Sequence, residues 1–136
     1  MNPSRTRQRI NTLYGRLGKR IEVVHGRSAL FAGSLYLHKT RCGKPDCKCA
    51  DTDYRHESWC VSFIQGDASR TRVIPKGYKT EVEKMTRQYH RYRRARREMR
   101  EIFEELMAQV DALGEKRCQD GSERFEKLLS EAKGGK

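Results

Sequence analysis

Three cysteines fall within eight residues of the run Arg41-Cys42-Gly43-Lys44-Pro45-Asp46-Cys47-Lys48-Cys49-Ala50. Cysteines one residue apart are poorly placed to pair with each other, whereas a metal ion readily gathers thiolates from one tight turn. The five cysteines of the chain follow a polar N-terminus, Met1–Arg20, that has no apolar secretory segment. We therefore expect a reducing, cytoplasmic setting, in which this spacing predicts a metal site rather than disulfides.

A tetrahedral zinc site needs a fourth ligand beyond the three thiolates, and the chain offers two candidates. His56 is preferred, because it lies in a polar loop from which its side chain can reach back to the cysteines. Cys60 follows Trp59 in a predicted strand, where a buried free thiol is ordinary. The predicted cofactor is Zn2+, bound by Cys42, Cys47, Cys49 and His56, with Cys60 as the alternative fourth ligand.

The remaining pattern predicts an α+β fold: an N-terminal helix, a small antiparallel three-stranded sheet stapled by the zinc knuckle, a long basic coiled-coil-like helix and a short C-terminal helix. Pro3 after Asn2 is typical of a helix start, and three apolar stretches around residues 29–37, 59–64 and 70–74 favour strands. The predicted segments are 1–28 for the N-terminal basic helix, 29–78 for the zinc-knuckle β domain, 79–117 for the long basic and amphipathic helix, and 118–136 for the C-terminal helix and tail.

The long helix is predicted from a capping-box pattern, Thr80 to Glu83, and from apolar residues at alternating spacings of three and four. This seam consists of Val82, Met85, Tyr89, Tyr92, Arg96, Met99, Phe103, Leu106, Val110 and Leu113, with Arg96 as its one charged member. A seam of this length favours a coiled coil or an antiparallel helix pair and predicts a homodimer through residues 99–113. A single amphipathic helix lying on the sheet is the alternative.

The charge of the chain is strongly positive, at +12, and unevenly distributed. Residues 87–100 contain seven arginines, whereas residues 101–136 carry a net charge of −3. A basic body of this kind favours a polyanionic partner, although arginines also form solvated faces or pair with acidic helices. The predicted nucleic-acid-binding residues are Arg41, Lys44, Lys48, Arg70, Arg72, Lys76, Arg87, Arg91, Arg93, Arg94, Arg96, Arg97 and Arg100.

No catalytic motif is recognisable in the chain: it contains neither a His-Glu-x-x-His pattern nor a glycine-rich phosphate loop. A zinc site closed by four protein ligands is structural, so we expect a binding protein rather than an enzyme, and no membrane span. Duplex DNA is favoured, with a nucleoid location, because a two-fold dimer with arginine-rich helices matches duplex symmetry. Structured RNA and a protein partner, bound by a scaffold or regulatory subunit, are the alternatives.

The cysteine run, with Arg70-Thr71-Arg72 and the long basic helix after it, resembles a family of small basic prokaryotic proteins of unassigned function. That family has a Cys-Gly-Lys-Pro-x-Cys-x-Cys knuckle, a histidine step, an Arg-Thr-Arg strand and a long basic helix, and the resemblance covers residues 33 to about 110. It implies His56 as the fourth metal ligand. The chain departs from the family at Glu57-Ser58, where the family has Gly-Pro.

Overall fold

The computed structural model describes residues 1–135, and the predicted α+β fold is confirmed there. In chain order the elements are α1 (Pro3–Val24), β1 (Gly33–Thr40), α2 (Lys48–Asp51), β2 (His56–Gln65), β3 (Ala68–Val73) and α3 (Lys79–Gly134). They form two compact units. The helical unit consists of Met1–His25 and the chain from Ala95 onward, and the sheet unit is Gly26–Arg94.

The start of α1 is capped as its sequence predicts. The Asn2 side-chain oxygen accepts hydrogen bonds from the backbone N–H groups of Ser4, at 3.0 Å, and Arg5, at 3.2 Å. These two N–H groups lie in the first turn and have no partner inside the helix. Pro3 has no N–H group and so needs no partner. In the helical unit Leu13 of α1 is fully buried, as are Ala95 and Ile102 of α3.

The three strands form one antiparallel sheet in the order β1-β2-β3. Strands β2 and β3 are joined by a two-residue turn in which Gly66 takes φ +64°, a left-handed conformation that glycine adopts without steric cost. Paired residues project to the same face of a sheet. One face therefore carries Leu35, Val61 and Arg72, and the other carries Tyr36, Cys60 and Val73.

Helix α3 packs on the first of these faces. Its Lys79 ammonium lies 4.4 Å from the centre of the Trp59 ring, and its Met85 carbonyl accepts a hydrogen bond from Phe31 N–H at 3.2 Å. Val61 and Ile74 are buried. On the opposite face, Val73 of β3 is 65% exposed and Tyr36 of β1 is 37% exposed, whereas Cys60 of the central strand is buried.

The short C-terminal helix predicted at 118–136 is not separate, because α3 continues without a break to Gly134. Lys136 lies outside the described residues. Gly114 and Gly121 lie inside α3 on either side of the predicted boundary. A glycine inside a helix costs only about 1 kcal/mol relative to alanine and removes no hydrogen bond. Proline would remove one, and α3 contains none.

Beyond Tyr92, the side of α3 that is buried within one chain is not the predicted seam, and the homodimer predicted through residues 99–113 stays a prediction. Ala95 and Ile102 are buried, at 4% and 3% exposure, whereas Arg96 and Phe103 on the predicted seam are exposed. A guanidinium is rarely buried without a partner, and the small side chain of Ala95 fills that position without desolvating a charge. The predicted capping box is also wrong: α3 begins at Lys79, before Thr80, and the Glu83 carboxylate binds Lys79 and Arg87 instead.

Candidate metal centre

A tight turn between β1 and β2 shapes the cysteine cluster. Gly43 takes φ +82°, which favours glycine, and the backbone N–H of Cys47 donates to the Lys44 carbonyl at 3.2 Å. Pro45 occupies the second position of this turn, where its fixed φ is favourable. Cys47 then caps the short helix α2, which carries Cys49.

Four potential donor atoms converge at this turn. Those of Cys42, Cys47, Cys49 and His56 all lie within 4.8 Å of one another. The sulfurs of Cys42 and Cys49 are 3.6 Å apart, and Cys47 Sγ is 3.2 Å from His56 Nε2. The four side chains are therefore close enough to bind one metal ion.

The structure brings His56 to the cluster and places Cys60 elsewhere. His56 is the first residue of β2, so its ring remains next to the loop. Cys60 lies four residues farther along this strand, is 2% exposed, and has its sulfur near Ser58. Its surroundings are those of a packed thiol in a sheet.

Arg55, which the sequence analysis did not single out, ties down the chain between Cys49 and His56. Its guanidinium donates to the backbone carbonyls of Thr52, at 3.0 Å, and Tyr54, at 2.8 Å, and reaches the Cys49 carbonyl at 3.5 Å. In the sequence, only its position between Cys49 and His56 pointed to Arg55, because a basic residue in a polar loop belongs to no distinctive motif. Tyr54 adds an edge-on contact to the His56 ring at 5.4 Å.

The two thiols at the start of the cluster differ in acidity. The pKa of Cys47 is lowered, mainly by the backbone N–H of Cys49 and also by the thiol of Cys42. The pKa of Cys42 is raised: the backbone N–H of Lys44 lowers it, but the thiols of Cys47 and Cys49 and partial burial outweigh that effect. Cys47 is thus the thiol of this pair that ionises first, and thiolates are the form that binds metal.

The basic residues predicted near the cluster are all at the surface. Arg41, Lys44 and Lys48 are exposed, and the Lys48 ammonium lies 5.1 Å from the centre of the Tyr54 ring. The same side chains remain accessible to an anionic ligand.

The arginines predicted to bind nucleic acid are exposed on both elements that carry them. This holds for Arg70, Arg72 and Lys76 at β3 and for all seven arginines of α3 between residues 87 and 100. Among the described residues 1–135, only Arg87 of these seven forms an ion pair, with Glu83 at 2.7 Å. The acidic residues Glu98 and Glu105 bind Arg20 and Arg9 of α1 instead.

Within the sheet unit, the arginines of β3 and α3 occupy the same side of the sheet. Arg70 pairs with Phe63 and Arg72 with Val61, which places both on the face where α3 packs. Arg93 of α3 and Ser69 of β3 line one cavity of about 410 Å³ beside Phe63. The tertiary structure thus brings Arg93 of α3 near Ser69 of β3, the residue before Arg70.

Compared with models of protein families, with curated proteins and with solved structures, the chain matches none of them. In the described residues, no helix combines the length and the apolar character needed to cross a bilayer.

Proposed function

We propose that the protein binds nucleic acid, with duplex DNA as the favoured partner, and that Zn2+ stabilises the unit that presents the binding surface. The surface consists of Arg87, Arg91, Arg93 and Arg94 of α3 with Arg70 and Arg72 of β3, all in the sheet unit. Arg96, Arg97 and Arg100 of the helical unit are proposed as further phosphate contacts. The metal is held by Cys42, Cys47, Cys49 and His56, and this site catalyses no reaction.

The donor set supports zinc as the metal. Three sulfurs and one imidazole nitrogen are typical ligands of structural zinc, and a Zn–S bond of about 2.3 Å implies sulfurs roughly 3.8 Å apart at tetrahedral angles. The observed separation of 3.6 Å between Cys42 Sγ and Cys49 Sγ suits that geometry. Four protein ligands leave no open position for a reacting water, which supports a structural role.

The observation that carries the nucleic-acid proposal is the set of arginines on α3 that are exposed and have no acidic partner among the described residues. Arg91, Arg93, Arg94, Arg96, Arg97 and Arg100 belong to this set. Carboxylates on the same helix are available, yet Glu98 and Glu105 bind α1. Guanidinium groups presented in this way suit bidentate phosphate contacts.

The test is a titration of labelled duplex DNA, single-stranded DNA and structured RNA at 50 and 200 mM salt, with zinc content measured on the same sample. Each duplex phosphate contact should contribute about 0.9 to the slope of log affinity against log salt. The double variant Arg91→Ala/Arg94→Ala should reduce this slope by about 1.8 and leave the circular dichroism spectrum unchanged.

A matched control is Lys127→Ala/Lys133→Ala, which also removes two positive charges from exposed positions of α3. It should lower the affinity much less than the arginine variant does. An equal loss in both variants would indicate attraction by net charge alone and would contradict the assigned surface. No binding to any of the three polymers by folded, zinc-loaded protein would overturn the proposal in favour of a protein partner.

Structured or single-stranded RNA is the second candidate, favoured by the face of the sheet opposite α3. Tyr36 is 37% exposed there, and its ring contacts His38 edge-on at 6.4 Å. Exposed aromatic rings on a sheet stack with unpaired bases, which a closed duplex does not offer. Tyr36→Ala should weaken RNA binding under this alternative and leave duplex binding unchanged.

A further inference from the structure

Helix α3 carries a second apolar stripe, distinct from the face that buries Ile102 in the helical unit. Its large members are Phe103, Met107, Val110, Phe125 and Leu128, which are between 40% and 58% exposed. Soluble proteins rarely leave a contiguous apolar strip of this length in water, and such strips mark interaction sites.

The spacing of this stripe is the same when read from either end. Its positions are Phe103, Met107, Val110, Gly114, Gly121, Phe125, Leu128 and Ala132, at intervals of four, three, four, seven, four, three and four residues. At about 100° per residue, the 29 steps from Phe103 to Ala132 make close to eight full turns, so the stripe runs straight along one side for about 44 Å. Its midpoint falls between Arg117 and Cys118.

The part of α3 that carries the second half of the stripe has no cover within the described chain. Every residue from Arg117 to Gly135 is exposed. A helix of this length without packing is marginal in water, because propagation barely offsets the loss of conformational entropy. A stable helix here requires a partner along the stripe.

We propose that the partner is a second copy of this chain, lying antiparallel against the stripe with the two-fold axis between residues 117 and 118. Two-fold symmetry then brings Met107 of one copy opposite Leu128 of the other, and Val110 opposite Phe125. Gly114 faces Gly121 on each side of the centre. Because nothing lies within 4 Å of a side chain built at either glycine, the two backbones can approach closely there.

The charges favour the antiparallel direction over the parallel one. Residues 101–115 contain five acidic side chains and no basic one, a net charge of −5, whereas residues 120–134 contain three basic and four acidic side chains, a net charge of −1. A parallel pair in register would place the acidic segment against itself. The antiparallel pair places it against the nearly neutral segment 120–134, which reduces the repulsion. This assembly goes beyond the proposed nucleic-acid binding and does not depend on it.

The direction of the pair is tested by cross-linking in the full-length, zinc-loaded chain. In a Cys118→Ser background, Val110→Cys and Phe125→Cys are prepared as separate proteins with tags of different mass and oxidised mildly, alone and mixed. The antiparallel pair predicts a disulfide only in the mixture, between the two different chains. The Cys118→Ser protein without an added cysteine is the control and should form no cross-link.

The surface is tested by the mass of the protein in solution. Wild-type protein at micromolar concentration should sediment as a dimer of the 15.9 kDa chain. Leu128→Asp should weaken the dimer at least tenfold. Ser130→Asp, which adds the same charge to the same exposed segment off the stripe, should change the dimer dissociation constant less than threefold.

Several outcomes overturn the proposal. A monomeric wild-type protein, a disulfide in the Val110→Cys protein alone, or equal weakening by both aspartates would each do so. Retention of the dimer in Leu128→Asp would also exclude the stripe as the interface. Circular dichroism on each variant separates dissociation from unfolding, because loss of the partner alone affects only the end of α3.

Discussion

The loop between β1 and β2 and the end of α3 both lack a hydrophobic core of their own, and they present different kinds of binding site. Each contains few apolar side chains that the described chain buries, and neither is stable as an isolated peptide. The loop concentrates four metal-ligand side chains around Cys49, which is 1% exposed. The end of α3 leaves every residue exposed and presents a regular apolar stripe. Closely spaced ligands thus indicate a partner ion, and evenly spaced exposed apolar residues indicate a partner chain.

Removal of a buried metal ligand is expected to have the largest effect on the loop. Cys49→Ser should abolish metal binding and unfold the sheet unit, because structural zinc contributes on the order of 10 kcal/mol to modules of this size. Zinc content and Trp59 fluorescence report the result. Cys118→Ser, at an exposed position of α3, is the control and should retain both the bound zinc and the native fluorescence of Trp59.

The same experiment separates His56 from Cys60 as the fourth ligand. His56→Ala should lose the metal, whereas Cys60→Ala should retain it and lose only packing stability. A Cys60→Ala protein without metal would contradict the assigned ligand set, as would a Cys49→Ser protein with unchanged thermal stability.

The helical unit offers the next comparison, between two adjacent residues of α3. Ile102→Ala should lower the free energy of unfolding by about 2–4 kcal/mol, because Ile102 is 3% exposed and its removal leaves a cavity. Phe103→Ala should change it by less than about 1 kcal/mol at concentrations too low for self-association, since Phe103 is 54% exposed. Urea denaturation measures both, and a larger loss for Phe103→Ala would reverse the assigned faces.

A smaller effect is expected from Arg55, which supports the metal loop without providing a ligand. Arg55→Ala removes three hydrogen bonds to loop carbonyls and should weaken metal affinity about 10- to 100-fold with the fold retained. Competition with a chromophoric chelator measures the change. Arg41→Ala, an equal loss of charge next to Cys42, should have less effect than Arg55→Ala; equal effects would assign the role of Arg55 to charge alone.

The smallest expected effect is on the pKa of Glu83 near the start of α3 and on the pH dependence of stability that follows from it. The pKa of Glu83 is lowered by its hydrogen bond and charge interaction with Lys79, and further by Arg87. A lowered pKa in the folded state contributes stability above the ordinary pKa of glutamate, and this contribution disappears as pH falls through the folded-state value. Lys79→Ala should raise the Glu83 midpoint in an NMR titration. An unchanged midpoint would contradict the pairing.

Local signals predicted much of the fold correctly. The helix start at Asn2 and Pro3, the three strands and the four grouped candidate ligands each depend on residues that are near one another in sequence. The failures concerned α3, where a boundary was placed between residues 117 and 118 and Arg96 was placed on the apolar seam. The low helix propensity of glycine did not end α3, because the backbone hydrogen bonds of the helix continue through it. A seven-residue repeat drifts from the true helical period of 3.6 residues, so the predicted seam departs from the buried side.

The amino-acid sequence by itself determined the four candidate metal ligands, the sheet and the basic character of α3, because spacing, β-propensity and charge are properties of short segments. The tertiary structure alone decided that Ala95 and Ile102 lie on the buried side of α3, since this depends on distant residues such as Arg20 and Arg9 of α1, which bind Glu98 and Glu105 of α3. It also decided that Arg70 and Arg72 share a face with α3, because strand pairing sets the direction of every side chain in the sheet.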